Sequence, residues 1–124
     1  MNFSPDKPIY LQMADRLSDE ILSGKYAEGS RIPSVREYAA LLQVNINTAM
    51  KCFEQLAHED VIYNQRGLGY FVSDGARKRI MRQRRNDFLQ RTLPELFRQM
   101  SMLGIDIEAV DGAWTNWKKN NNQQ

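Results

Sequence analysis

SVREYAALLQVNINTAMKCFEQLAHEDVIYNQRGLGYFV, residues 34–72, is the stretch whose reading decides the fold. It reads as two short helices joined by a tight turn and followed by a two-stranded hairpin. Ser34 opens the first helix: its hydroxyl can accept from an orphan backbone N–H, and Glu37, three residues on, completes a capping box. Val35, Tyr38, Ala39 and Leu42 recur at helical spacing and mark the buried stripe. The helix stops at Gln43, Val44 fills the turn, and Asn45 caps the second helix. Ala49, Cys52, Phe53, Leu56 and Ala57 form the buried face of that helix. Asn47, Thr48, Lys51 and Gln55 stand opposite, and such short amide, hydroxyl or basic groups can hydrogen-bond base edges and phosphates.

An amphipathic helix pair alone is any helical hairpin with a solvated face. The segment after the pair shifts the balance. Val61, Ile62 and Tyr63 predict a strand, Gln65-Arg66-Gly67-Leu68-Gly69 a turn, and Tyr70, Phe71 and Val72 the return strand. Two glycines beside an arginine suit close approach of the backbone to a nucleic-acid groove. Helix, helix, hairpin is the order of a winged helix-turn-helix. The expected class is therefore α+β, mostly helical: a winged helix-turn-helix that holds one helix in the major groove of DNA, with a short C-terminal two-helix dimerisation appendage.

Upstream, Ile9, Tyr10, Met13, Ala14, Leu17 and Ile21 predict an amphipathic helix from Pro8 to near Gly24, with Asp15, Arg16, Asp19 and Glu20 on its wet side. Residues 1–7 read as loose. Gly29 permits a turn, Arg31-Ile32 can add a short strand beside the hairpin, and Pro33 leads into the next helix. Downstream, Asp74 is placed to cap a long helix. Pro94 predicts a kink or restart in it, with Thr92 and Glu95 as a capping box. Gly104 ends that helix, and Asp106 caps a last one carrying Ile107, Val110, Trp114 and Trp117 on one side. The chain thus divides into a DNA-binding region (8–73), a helical dimerisation region (74–118) and a disordered tail (119–124).

With 124 residues there is room for one domain and an appendage. No apolar run is long enough to span a membrane and no leader opens the chain, so a cytoplasmic protein is expected. The single cysteine, Cys52, fits a reducing compartment and reads as a core residue. His58, the only histidine, is six residues from Cys52 and points elsewhere. No metal site, cofactor site or catalytic set is expected, and so no enzyme. A net charge of +2 says little, but residues 77–91, RKRIMRQRRNDFLQR, concentrate the cations. Such a run is either a solvated helical face or one lying along a phosphate backbone. The apolar side chains Ile80, Phe88, Leu89, Leu93, Leu96, Phe97, Met100, Leu103, Trp114 and Trp117 exceed what two helices can bury between themselves. A two-fold homodimer would cover them, with the dimer contacts drawn from all of these but Ile80.

IPSVREYAALLQVNINTAMKCFEQLAHEDVIYNQRGLGYFV resembles the winged helix-turn-helix of the GntR family of bacterial transcription regulators, and PIYLQMADRLSDEILSGKYAEGSRIPS resembles the family's approach to it. The N-x-N-T pattern, the RGLG of the wing and the short C-terminal part are similar to the YtrA-like branch. The likeness is strong over residues 8–73 and looser over 74–118. It implies a sequence-specific DNA-binding regulator, a repressor, acting as a homodimer on an inverted repeat of double-stranded DNA. It also implies DNA contacts from Ser34, Arg36, Asn45, Ile46, Asn47, Thr48, Lys51, Arg66, Gly67 and Gly69. Two departures matter. Gln43 stands where the family often has Gly, which would cost about 1–2 kcal/mol if the backbone is left-handed there. Ile46 and Met50 stand where many members carry Arg, so base reading falls on Asn45, Asn47, Thr48 and Lys51, and on apolar contact from Ile46 to a thymine methyl. Two other readings stay open: a winged helix that binds a partner protein, and a regulator whose C-terminal helices also take a small-molecule effector.

Overall fold

The computed structural model describes residues 2–122. The element order is α1 Ile9–Leu22, α2 Val35–Leu42, α3 Ile46–His58, β1 Ile62–Gln65, β2 Gly69–Val72, α4 Ala76–Asp87, a π-helical turn Phe88–Thr92, α5 Leu93–Leu103 and α6 Ile107–Asn120. The fold is mostly helical with one small sheet, as the sequence predicts. Two compact units divide the chain, Met1–Gln83 and Arg84–Gln124.

The first unit is built on a three-helix core. Met13, Leu17 and Ile21 of α1, Tyr38 and Leu42 of α2, and Cys52, Phe53 and Leu56 of α3 are almost wholly buried, closed by Ile32, Ile62 and Val72. Phe53 sits at the centre. Its ring meets Tyr38 edge-on at 6.0 Å and Tyr70 edge-on at 4.9 Å, so one side chain joins α2, α3 and β2. The Tyr38 hydroxyl donates to the Glu20 carboxylate at 3.0 Å and ties α2 to α1. Burial, and then the Glu20 charge, push that phenol above its ordinary range. Burial also pushes the Cys52 thiol up to about 12, which leaves it an inert core group.

Several expectations need correction. Residues 2–7 are not loose. Gln12 accepts from Ser4 N–H at 2.8 Å and donates to the Ser4 and Lys7 carbonyls, each at 2.7 Å. Lys7 pairs with Asp15 at 2.6 Å, and Phe3 packs on the core. The first strand begins at Ile62 rather than Val61, and Gly69 belongs to β2, where it pairs with Gln65. The hairpin loop is therefore three residues, 66–68. Arg31 does bridge to Phe71, as a third short strand would.

The N-terminus of α4 is capped not by Asp74 but by Glu28, whose two carboxylate oxygens accept from Gly75 N–H (2.9 Å) and Arg77 N–H (3.1 Å). Those two backbone donors hold the Glu28 carboxyl below its usual range. Arg77 in turn donates to the Ile21 and Leu22 carbonyls at the end of α1 (3.1 and 2.7 Å). Arg79 donates to the carbonyls of Asp60 (2.9 Å) and Asp74 (2.7 Å). These two cations of the basic run are thus architectural. Ala76 and Ile80 lie in the same core, so the first unit extends beyond residue 73 and Ile80 leaves the dimer inventory.

The second unit contains no buried residue among those described. Phe88, Leu89, Leu96, Phe97, Leu103, Trp114 and Trp117 are exposed, Leu93 and Met100 half-buried. Met102, Ile105 and Ile107 add to this apolar surface. The capping box expected of Thr92 does not form. Thr92 is itself helical, and Glu95 instead pairs with Arg98 at 2.7 Å and accepts from Gln99 at 3.0 Å. Arg98, then Gln99, hold the Glu95 carboxyl down at about 2. Pro94 has no N–H and its ring would strike the carbonyl four residues back; the widened turn before it relieves both. Asp106 caps α6 as expected, accepting from Ala109 N–H at 3.1 Å. Lys119 and Asn120, assigned by sequence to a disordered tail, are the last residues of α6. Lys118 and Lys119 suit a helix C-terminus, and Asn121 donates to the Trp117 carbonyl there at 2.9 Å. Positions 123–124 of that tail lie outside the described residues.

Candidate nucleic-acid interface

The α2–α3 corner shows how local chemistry sets a recognition helix. Ser34 Oγ accepts from Glu37 N–H at 3.0 Å, and Glu37 Oε1 accepts from Ser34 N–H at 2.9 Å, closing the capping box. The Ser34 backbone and hydroxyl hold the Glu37 carboxyl below its usual range. At the other end Gln43 takes the left-handed conformation (φ 57°, ψ 49°), and its N–H and that of Val44 close the helix on Ala40 and Ala39. A side chain is strained in that conformation. Gln43→Gly should raise the stability of the protein by about 1 kcal/mol, net of the entropy a glycine loses on folding. A urea titration measures it, and an unchanged or lower midpoint would count against strain at this corner.

Asn45 then caps α3, its side-chain oxygen accepting from Asn47 N–H at 2.7 Å. That bond takes one of the two lone pairs of the oxygen, and the Asn45 amide NH2 stays free among the described residues. Thr48 is half-buried. The Lys51 ammonium lies 5.9 Å above the Tyr10 ring centroid, and Gln55 donates to Glu59 at 2.6 Å. Ile46, Asn47 and Met50 stand in solvent in the first turns of α3. Among the described residues, the side chains of Asn47, Arg36 and Arg66 have no hydrogen-bond or ion-pair partner.

The wing carries Arg66 exposed at its tip. Gly67 (φ 80°) and Gly69 (φ 111°) take backbone conformations that other residues adopt only with strain. A methyl at Gly69 would also come within 3.1 Å of Arg31 Nε. Arg31 is the cation that sequence reasoning missed. The bridge to Phe71 sets it along the wing, and the only sign of it in the sequence is the short strand expected at Arg31-Ile32. On the hairpin face opposite buried Ile62 and Val72, Tyr63 and Phe71 stack at 5.8 Å. Among the described residues, no group of His, Cys, Asp and Glu could hold a metal ion, and no helix is long and apolar enough to cross a membrane.

A family model described as "Bacterial regulatory proteins, gntR family" matches residues 9–72. An uncharacterised helix-turn-helix regulator of Bacillus subtilis, YhcF, is 30% identical over 108 residues, covering 87% of this chain and 88% of its own. The transcriptional repressor YtrA of the same organism is 29% identical over 103 residues, covering 83% of this chain and 78% of its own. The crystal structure of a GntR-family transcriptional regulator from Bacteroides thetaiotaomicron superposes with a TM-score of 0.81 at 44% identity, covering 91% of this chain and 98% of that one.

Proposed function

The chain belongs to the GntR family of bacterial regulatory proteins, a transcription regulator with a DNA-binding winged helix and not an enzyme, and from that membership we propose that it is a cytoplasmic repressor acting as a homodimer on an inverted-repeat operator. The observation that carries the reading is the solvent face of α3. Its first turns present Asn47 with an uncommitted amide, and Arg36 of α2 and the wing arginine Arg66 are exposed as well. Asn47 meets base edges in the major groove, Arg36 and Ser34 meet the backbone at the groove edge, and Arg66 reaches phosphate or minor groove. Lys51 leaves Tyr10 for a phosphate. The repressor sign is supported by the likeness to YtrA, named as a repressor. The exposed apolar surface of the second unit supports a two-fold partner there.

Selection of bound sequences from a random duplex pool tests the reading. An inverted repeat should emerge, and an unstructured pool after several rounds would overturn it. On that operator Asn47→Ala should cost about 1–3 kcal/mol and relax the preference at one position of each half-site. Wild-type affinity and preference in the variant would remove Asn47 from the reading set. Arg66→Ala should weaken binding and flatten the dependence of affinity on salt by about one unit of slope. An unchanged slope would place the wing away from the phosphates.

A second reading adds an effector. It is favoured by an open cleft of about 480 Å³ along α6, lined by Ile107, Glu108, Val110, Asp111 and Trp114. Trp114 stacks on Trp117 at 5.8 Å beneath the Lys118 ammonium, so a ligand in the cleft should change tryptophan emission. A fluorescence titration against a metabolite library, silent throughout, would leave the cleft to the dimer partner.

A further inference from the structure

The first two turns of α3 hold an unusual pair for a surface that reads DNA. Ile46 is 38% exposed and Met50 40%. They are four residues apart, hence neighbours on one side of the helix. Of the polar groups around them, the Asn45 oxygen accepts the cap bond, Lys51 lies over the Tyr10 ring and is directed to phosphate rather than to bases, and Thr48 is half-buried. What α3 offers a groove at its N-terminal end, the end that reaches base edges in a helix-turn-helix, is a hydrocarbon edge flanked by the whole amide of Asn47 and the NH2 of Asn45.

That composition selects among base pairs. Guanine shows two acceptors in the major groove and cytosine an amine donor. Ile46 can satisfy neither, and the Met50 thioether, only a weak acceptor, can satisfy nothing on guanine, so both would strip water without replacing it in kind. Thymine alone shows a methyl group there. A methyl against Ile46 or Met50 buries apolar surface on both sides, and the unbranched thioether of Met50 can adjust to its position. Asn47, beside them, has the bidentate geometry for adenine.

We infer that Ile46 and Met50 read thymine 5-methyl groups, so that each operator half-site carries thymines under these two side chains, next to an adenine held by Asn47. The inference rests on α3 being the reading helix and specifies which bases it reads.

The test uses the full chain and the operator selected from the random pool, with each thymine replaced in turn by uracil. The replacement removes only the 5-methyl group. At one or two thymines per half-site it should weaken wild-type binding about 4-fold, the change that corresponds to the ~0.8 kcal/mol of one buried methyl-sized group. In Ile46→Ser the penalty should vanish at one of these thymines, and in Met50→Ser at the other. Both side chains are exposed, so both variants should melt as the wild type does. A selected operator without thymine in its contacted positions, uracil tolerated at every position, or penalties undiminished in both variants would each overturn the inference while leaving an operator in hand. A pool that enriches no sequence would overturn the operator reading itself, and this inference with it.

Discussion

A chain ending at Gln83 should fold, remain monomeric and bind the operator about 10²–10⁴-fold more weakly than the whole protein, because two winged modules held on one partner gain by effective concentration. The residues behind this are the exposed Phe88, Leu89, Phe97, Leu103, Trp114 and Trp117 of the second unit, where none of the described residues is buried. Apolar surface on that scale is rare on a soluble monomer, and an isologous pair covers it with one kind of contact. Two recognition helices would then meet successive major grooves about 34–36 Å apart on an inverted repeat. The cut must fall after Gln83. The boundary expected from the sequence, at residues 73 and 74, would strip Ala76 and Ile80 from the first unit's core and Arg77 from the end of α1. Light scattering and a binding titration on both chains decide the matter. A monomeric full chain, or a shortened chain that binds as tightly as the whole, would remove dimerisation from the mechanism.

Phe53→Ala should cost about 3–5 kcal/mol of stability, as large-to-small changes at fully buried aromatic sites do. A small domain has only about 5–15 kcal/mol in total, so much of the protein should unfold near physiological temperature. The size of the effect follows from position. Phe53 is wholly buried and its ring meets Tyr38 at 6.0 Å and Tyr70 at 4.9 Å. Removing it opens a cavity where α2, α3 and β2 converge, and these are the elements that aim the recognition helix and the wing. Phe53→Leu keeps most of the volume and should cost much less. Urea denaturation followed by circular dichroism reads both. A loss below about 2 kcal/mol for the alanine variant would mean that the core closes over the gap.

The DNA-reading corner was legible because its determinants are local. The Ser34–Glu37 box, the Asn45 cap and the alternation of buried and exposed positions in α2 and α3 all act within a few residues. The left-handed conformation suspected at Gln43 is local in the same sense: a helix that turns sharply into the next takes a left-handed residue at its end, here one with a side chain. Which candidates stand ready for DNA was not legible. The Asn45 cap was readable, but that Thr48 would be half-buried and Lys51 would lie over the Tyr10 ring was not, since both depend on how α3 packs.

By itself, then, the sequence determined the class of fold, the order and approximate ends of the helices and wing, the apolar stripes, and membership of a family of DNA-binding regulators. The family came from the likeness of residues 8–73 to its members; the rest follows from periodicity, capping and turn chemistry, which are properties of neighbouring residues. The tertiary structure alone decided the links across the first unit: Glu28 capping α4 from 47 residues away, Arg77 closing α1 from 55 and 56 residues away, Arg31 laid along the wing, and Ile80 in the core rather than at an interface. An arginine or glutamate in a sequence carries no mark of the distant backbone group it will meet. That partner exists only once the chain has folded back on itself and a buried carbonyl or a free helix end must be satisfied from whatever side chain has been brought within reach.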